Sequence, residues 1–143
     1  MTKGLILLAM LLFPGVCMAE GYERITERFF GYLEQGRTDE AIDLLSSTNE
    51  WVGANTDQVI HLKDQLARLS NLVGEYLFHE MILEQRVGSR YAHLIYLVGY
   101  DRQPLRFELK VYRPGDQWRL QGVSFDANLS DDVEKLANQR ILE

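Results

Sequence analysis

The chain has 143 residues, of which 46% are hydrophobic and 25% charged, a balance suited to a packed domain and unlike that of a disordered or fibrous chain. With 21 acidic against 15 basic residues and no local basic stripe, it repels phosphate backbones and anionic lipid headgroups, which disfavours nucleic acid as a partner.

The opening stretch MTKGLILLAMLLFPGVCMA carries one cation at Lys3, an apolar run from Leu5 to Phe13, and small or turn-forming residues up to Ala19. This pattern predicts a secretory signal peptide over residues 1–19, cleaved after Ala19, and a single exported or periplasmic domain over residues 20–143. The apolar run is too short for a stable membrane span, which needs about 20 residues. Lipid attachment at Cys17 competes with cleavage, but Val16 stands where a small residue is wanted. Cys17 is the only cysteine and leaves with the leader, so the domain must hold together without a disulfide.

Three helical segments come next. Tyr22, Ile25, Phe29 and Leu33 recur at helical spacing and stop at Gly36, suited to a left-handed cap. TDEAIDLLSS predicts a short second helix, with Thr38 as N-cap and Asp39 and Glu40 complementing the dipole. From Asn55, Val59, Leu62, Leu66, Leu69 and Val73 mark a third helix ending at Gly74. Trp51, in the loop between the second and third, either covers a cavity or packs beneath the third helix.

Beyond Gly74 the hydrophobic period changes from helical to alternating, and turn signals recur at VGSR, YDRQP and RPGDQ. Four sequential antiparallel strands are predicted, over 76–87, 91–101, 104–113 and 117–126. NLSDDVEKLANQR then suggests a short C-terminal helix, with Ser130 as N-cap. The fold class is α+β: three N-terminal helices packed on a curved four-stranded antiparallel meander.

Turn geometry assigns the faces. A two-residue turn at Gly88 and Ser89 sets Val87 opposite Arg90, Leu83 opposite Leu94 and Met81 opposite Tyr96. The next turns set Tyr96 against Leu109, Val98 against Phe107 and Val111 against Trp118. One face then collects Met81, Leu83, Leu94, Tyr96, Val98, Leu105, Phe107, Leu109, Val111, Trp118 and Leu120, and the helices must cover it. The opposite face carries Glu84, Arg86, Arg106, Glu108, Lys110 and Arg119. It also carries Ile82, Ile95, Leu97, Val123 and Phe125, an apolar patch suited to a homodimer packed sheet to sheet.

FFGYLEQGRTDEAIDLLSS and LRFELKVYRPGDQWRLQGVSFD resemble the opening helix pair and the closing hairpin of secreted bacterial members of the nuclear transport factor 2-like superfamily, the cone-shaped, cystatin-like α+β proteins. The resemblance implies a sheet bent around its helices, a hollow at the open end, and frequent dimerisation through the sheet. It also implies either ligand or protein binding or, as in the ketosteroid isomerases, scytalone dehydratase and limonene epoxide hydrolase, catalysis. Fold alone does not choose between them.

The candidate chemistry is sparse. An isomerase needs an interior carboxylate base and donors for a buried oxyanion, and the inward positions contain no Asp or Glu within a strand; Asp126 shares their parity only at a strand end. His79 shares parity with Met81, near Tyr96 and Tyr100, and is the one candidate base. His93 falls on the outer face beside Ile95. His61, with Asp57 and Asp64, shares a helix face without a fourth metal ligand. No nucleophile motif or cofactor fingerprint occurs. Gln85, Tyr96, Tyr100 and Ser124 offer inward hydrogen bonds and Trp118 an inward wall, as a small-molecule site requires. The expectation is therefore a non-enzymatic domain, needing no cofactor, that binds a small apolar ligand or a protein in its cone through His79, Gln85, Tyr96, Tyr100 and Trp118. An isomerase or dehydratase using His79 with Tyr96 or Tyr100 is the alternative.

Overall fold

A computed structural model describes residues 21–141. The leader of residues 1–19, with Cys17, lies outside the described residues. Three helices, α1 (Glu23–Glu34), α2 (Thr38–Thr48) and α3 (Asp57–Val73), precede four strands, β1 (Tyr76–Val87), β2 (Tyr91–Tyr100), β3 (Pro104–Tyr112) and β4 (Arg119–Asp126), and a last helix, α4 (Ser130–Ile141). The strands form one antiparallel sheet in the order β1-β2-β3-β4.

The helices begin and end for local reasons. At the end of α1, Gly36 takes a φ of 72°, its N–H bonds the Leu33 carbonyl at 3.0 Å, and the Arg37 N–H bonds the Tyr32 carbonyl at 2.8 Å. This is a Schellman closure. Arg37, which completes it, also occupies the N-cap position of α2, so Thr38 lies inside the helix and is not the expected cap. The hydroxyl of Thr56 caps α3 by accepting the Val59 N–H. Gly74 ends α3 with φ 88° and ψ −152°, a region essentially confined to glycine.

The inward face of the sheet meets the helices in an aromatic core. Phe29, Phe30 and Phe107 are buried, with ring centroids 5.3 Å apart for Phe29–Phe30 and 6.0 Å for Phe29–Phe107. Trp118, just before β4, sets its ring edge-on to Tyr22, the N-cap of α1, at 5.3 Å, so it projects to the same flank as Phe107. Trp51 is 80% exposed and so does not pack beneath α3.

Three irregularities in the ladders revise the predicted faces. β1 shifts register between Tyr76 and Phe78 and again between Met81 and Leu83, and the β3–β4 ladder shifts at Lys110 and Val111, where Gln121 is the extra residue. Each extra residue reverses the parity beyond it and sharpens the bend of the sheet around the helices. Met81 still pairs with Tyr96, but Leu83 pairs with Ile95, Glu84 with Leu94, Gln85 with His93 and Arg86 with Ala92. Glu84 and Arg86 therefore turn inward, while Leu83 and Gln85 turn outward. The first turn is accordingly three residues long, with Val87 opposite Tyr91 and not Arg90. Tyr96 pairs with Phe107 and Val98 with Leu105, a register two residues from that expected but of the same parity.

Beyond Gln121, Val123 pairs with Leu109, Phe125 with Phe107, Ser124 with Glu108 and Asp126 with Arg106. Val123 and Phe125 therefore face the core, the Phe125 ring 5.5 Å from that of Phe107, whereas Ser124 and Asp126 face outward. The outer patch predicted from five residues keeps only Ile82, Ile95 and Leu97. α4 folds back towards this face. Arg106 ties it down, donating to Asp132 at 3.1 Å and to Asp126 at 2.8 Å.

Candidate functional site

The space between helices and sheet is filled by the phenylalanine cluster, and the openings on the inward side lie at its margins. Tyr22, the N-cap of α1, and Thr26 of its first turn stand four residues apart, on the face turned to β1. Opposite them, β1 presents His79 and Met81 and, beyond its second bulge, Glu84 and Arg86, while Tyr96 of β2 forms part of the wall. Together with Glu23 and Glu27 these side chains line a cleft of about 370 Å³.

The charges Glu84 and Arg86 pair along β1, and the Tyr22 hydroxyl joins them across the gap between helix and strand. The Tyr22 hydroxyl donates to Glu84, Arg86 holds the same carboxylate at 2.9 Å, and Arg86 also donates to the Tyr22 oxygen at 3.2 Å. The Arg86 guanidinium stands over the Tyr22 ring, 5.2 Å from its centroid. A bulge is what allows this knot, since with unbroken alternation Glu84 and Arg86 would face away from α1.

His79 lies on the inward side, its ring stacked on Phe30 with centroids 4.1 Å apart, and its Nδ1 is 2.5 Å from the Tyr76 hydroxyl. Burial pushes its pKa below the usual histidine value, against an opposing pull from Glu34. Tyr96 is raised above the ordinary tyrosine range by burial, opposed by the neighbouring Thr26 hydroxyl and helped by Glu84 and Glu23. Tyr76 is pushed up to about 12, by burial and then by Glu34. Near neutral pH the aromatic wall thus offers protonated phenols and an imidazole biased to its neutral form.

The structure brings together only part of the predicted site. His79 and Tyr96 share the α1–β1 cleft, their ring centroids 6.1 Å apart. Tyr100 lines a different cleft, of about 440 Å³, with Tyr76 and the end of α3. Tyr76 joins the two, edge-on to Tyr100 at 5.8 Å and hydrogen-bonded to His79. Trp118 borders a smaller groove of about 180 Å³ beside α1. Gln85 is on the outer face, opposite His93, because of the second β1 bulge. His93 does face outward, hydrogen-bonded to Glu108 at 2.8 Å. Tyr22, Thr26, Glu84 and Arg86 were not anticipated; the four-residue spacing of Tyr22 and Thr26 was the available signal. Among the described residues, no group of three His, Cys, Asp or Glu side chains is placed to hold a metal ion. Nor is any helix among them long and apolar enough to cross a membrane.

No family model matches the sequence, and no curated protein matches it significantly. Among solved structures, the chain is similar to a Campylobacter jejuni protein provisionally described as an NTF2-like transpeptidase, with 13% sequence identity and a TM-score of 0.53 over 71% of this chain and 97% of that one. At that identity the likeness concerns the fold. Together with the helices-first order and the antiparallel meander, it gives the chain the NTF2-like fold.

Proposed function

We propose that the protein is an exported ligand-binding domain without chemistry of its own, and that its ligand occupies the α1–β1 cleft. The observation that carries this reading is the state of Glu84. It is the one inward strand carboxylate at the cleft, and Tyr22 and Arg86 both hold it. A carboxylate held by both a guanidinium and a phenol is fixed in place as part of the cleft wall. The groups facing Glu84 are those of a binding site: an aromatic wall from Tyr96 and His79, a flexible apolar side chain in Met81, and acceptors at Glu23 and Glu27. A small ligand with an apolar body and hydrogen-bond donors fits this lining. Export rests on the leader sequence alone.

Native mass spectrometry of the protein recovered from the periplasm tests the reading. A retained small molecule that is lost on Met81→Trp, which narrows the cleft, is the expected result. A bare polypeptide mass under the gentlest conditions would count against it. A second reading, an isomerase or dehydratase using His79 with Tyr96, is favoured by their sharing one cleft, which Tyr100 does not enter. Turnover abolished in both His79→Gln and Tyr96→Phe would support it.

A further inference from the structure

The outer face of the sheet has a cavity of its own. It measures about 370 Å³, within the range of roughly 300–1,000 Å³ typical of small-molecule sites, and lies between the sheet and α4. Ile82, Leu83 and Ile95 supply an apolar floor, and Leu136 of α4 faces them from above. The floor exists because of the second β1 bulge: Ile82 and Leu83 are consecutive, yet both reach the same side of the sheet.

Asp132 stands at the cavity beneath the first turn of α4, its side chain only 5% exposed. Its Oδ2 accepts from Arg106, and its Oδ1 has no hydrogen-bond partner among the described residues. A buried carboxylate oxygen left unpaired is costly, so such an atom calls for a donor. Arg106 does not neutralise its surroundings by itself, because Glu108 at 3.2 Å and Asp126 at 2.8 Å share the same guanidinium. Three carboxylates thus converge on one arginine. Of the lining residues, Lys135 is the one lysine or arginine, three residues on from Asp132 in α4, and His93 is bonded to Glu108 at 2.8 Å.

We infer that the cavity beneath α4 is a second ligand site, taking a small molecule with an apolar body and a primary ammonium head directed to Asp132. The apolar part lies on Ile82, Leu83 and Ile95, and the head is drawn to Asp132, whose closed-off Oδ1 takes the donor once the side chain turns into the cavity. This site is separate from the α1–β1 cleft: it shares none of its lining residues and opens on the opposite face of the sheet.

The probe is 2-phenylethylamine, followed by the backbone amide resonances of the full exported chain, with 2-phenylethanol and 3-phenylpropionate as neutral and anionic controls. The amine should shift the resonances of Leu83, Ile95 and Leu136 saturably and bind at least about tenfold tighter than either control, the difference a charge-assisted hydrogen bond supplies. Asp132→Asn should remove that preference, and Lys135→Ala should tighten the amine. Leu136→Trp, which fills the cavity while leaving the Asp132–Arg106 pair intact, should abolish binding and thereby decides the matter even if Asp132→Asn loosens α4. Equal binding of amine and alcohol, or saturable shifts confined to Tyr22, Thr26 and Tyr96, would overturn the inference. So would amine binding that persists unchanged in Leu136→Trp.

Discussion

The imidazole of His79 lies flat against the ring of Phe30, the planes 8° from parallel, and so joins the edge strand β1 to the buried face of α1. Because burial holds His79 below its ordinary pKa of 6.5, the unfolded chain binds more protons than the folded one between the folded value and 6.5. Stability is therefore complete above that pH and declines as pH falls through it towards the folded value. Urea unfolding at about pH 7.5 and about pH 5.5 should show a loss at the lower pH that shrinks in His79→Gln. A His79 resonance titrating above 6.5 would refute the argument.

Phe78 lies across Gly99 of the neighbouring strand, and a Cβ on Gly99 would overlap its ring. Gly99→Ala should therefore push Phe78 outward and cost about 1 kcal/mol, as overpacking does. In a Phe78→Ala background most of that cost should vanish. A double-mutant cycle by chemical denaturation measures the difference, and strict additivity would mean that the two do not compete for space.

The hydroxyl of Thr48, at the end of α2, accepts the Leu120 N–H at 2.9 Å and donates to the Leu44 carbonyl at 2.6 Å. It thereby satisfies a backbone donor of β4, an edge strand with no further strand beside it among the described residues. Thr48→Val should leave this N–H unpaired and cost about 1–3 kcal/mol, while Thr48→Ser retains most of the stability. Equal midpoints for the two variants in thermal unfolding would argue against the role.

Ending the chain at Asn128 removes α4 and uncovers Ile82, Leu83 and Ile95, of which Ile95 is only 3% exposed in the whole chain. Arg106 keeps Glu108 and Asp126 as partners, so the sheet should survive. Light scattering should report a larger mass for the shortened chain than for the full one, because a contiguous apolar surface without its cover associates. Adding Leu83→Lys to the shortened chain should restore the smaller mass.

Periodicity determined much of this protein. Helical spacing located α1 and α3, the change to alternation after Gly74 located the sheet, and the recurrent turns gave its order. These are properties of nearby residues, and burial of one face enforces them locally. His79 and Tyr96 could be placed on the inward side because no irregularity intervenes between Phe78 and Met81, or anywhere along β2. What alternation cannot register is an inserted residue. The bulges at Ile82 and Gln121 reverse every side chain beyond them, and they arise where the sheet must bend to follow the helices, a demand set by the packed cone and carried by no single residue. Tertiary structure alone therefore decided that Glu84 and Arg86 meet Tyr22, that Val123 and Phe125 join the core, and that Gln85 and Leu83 face α4.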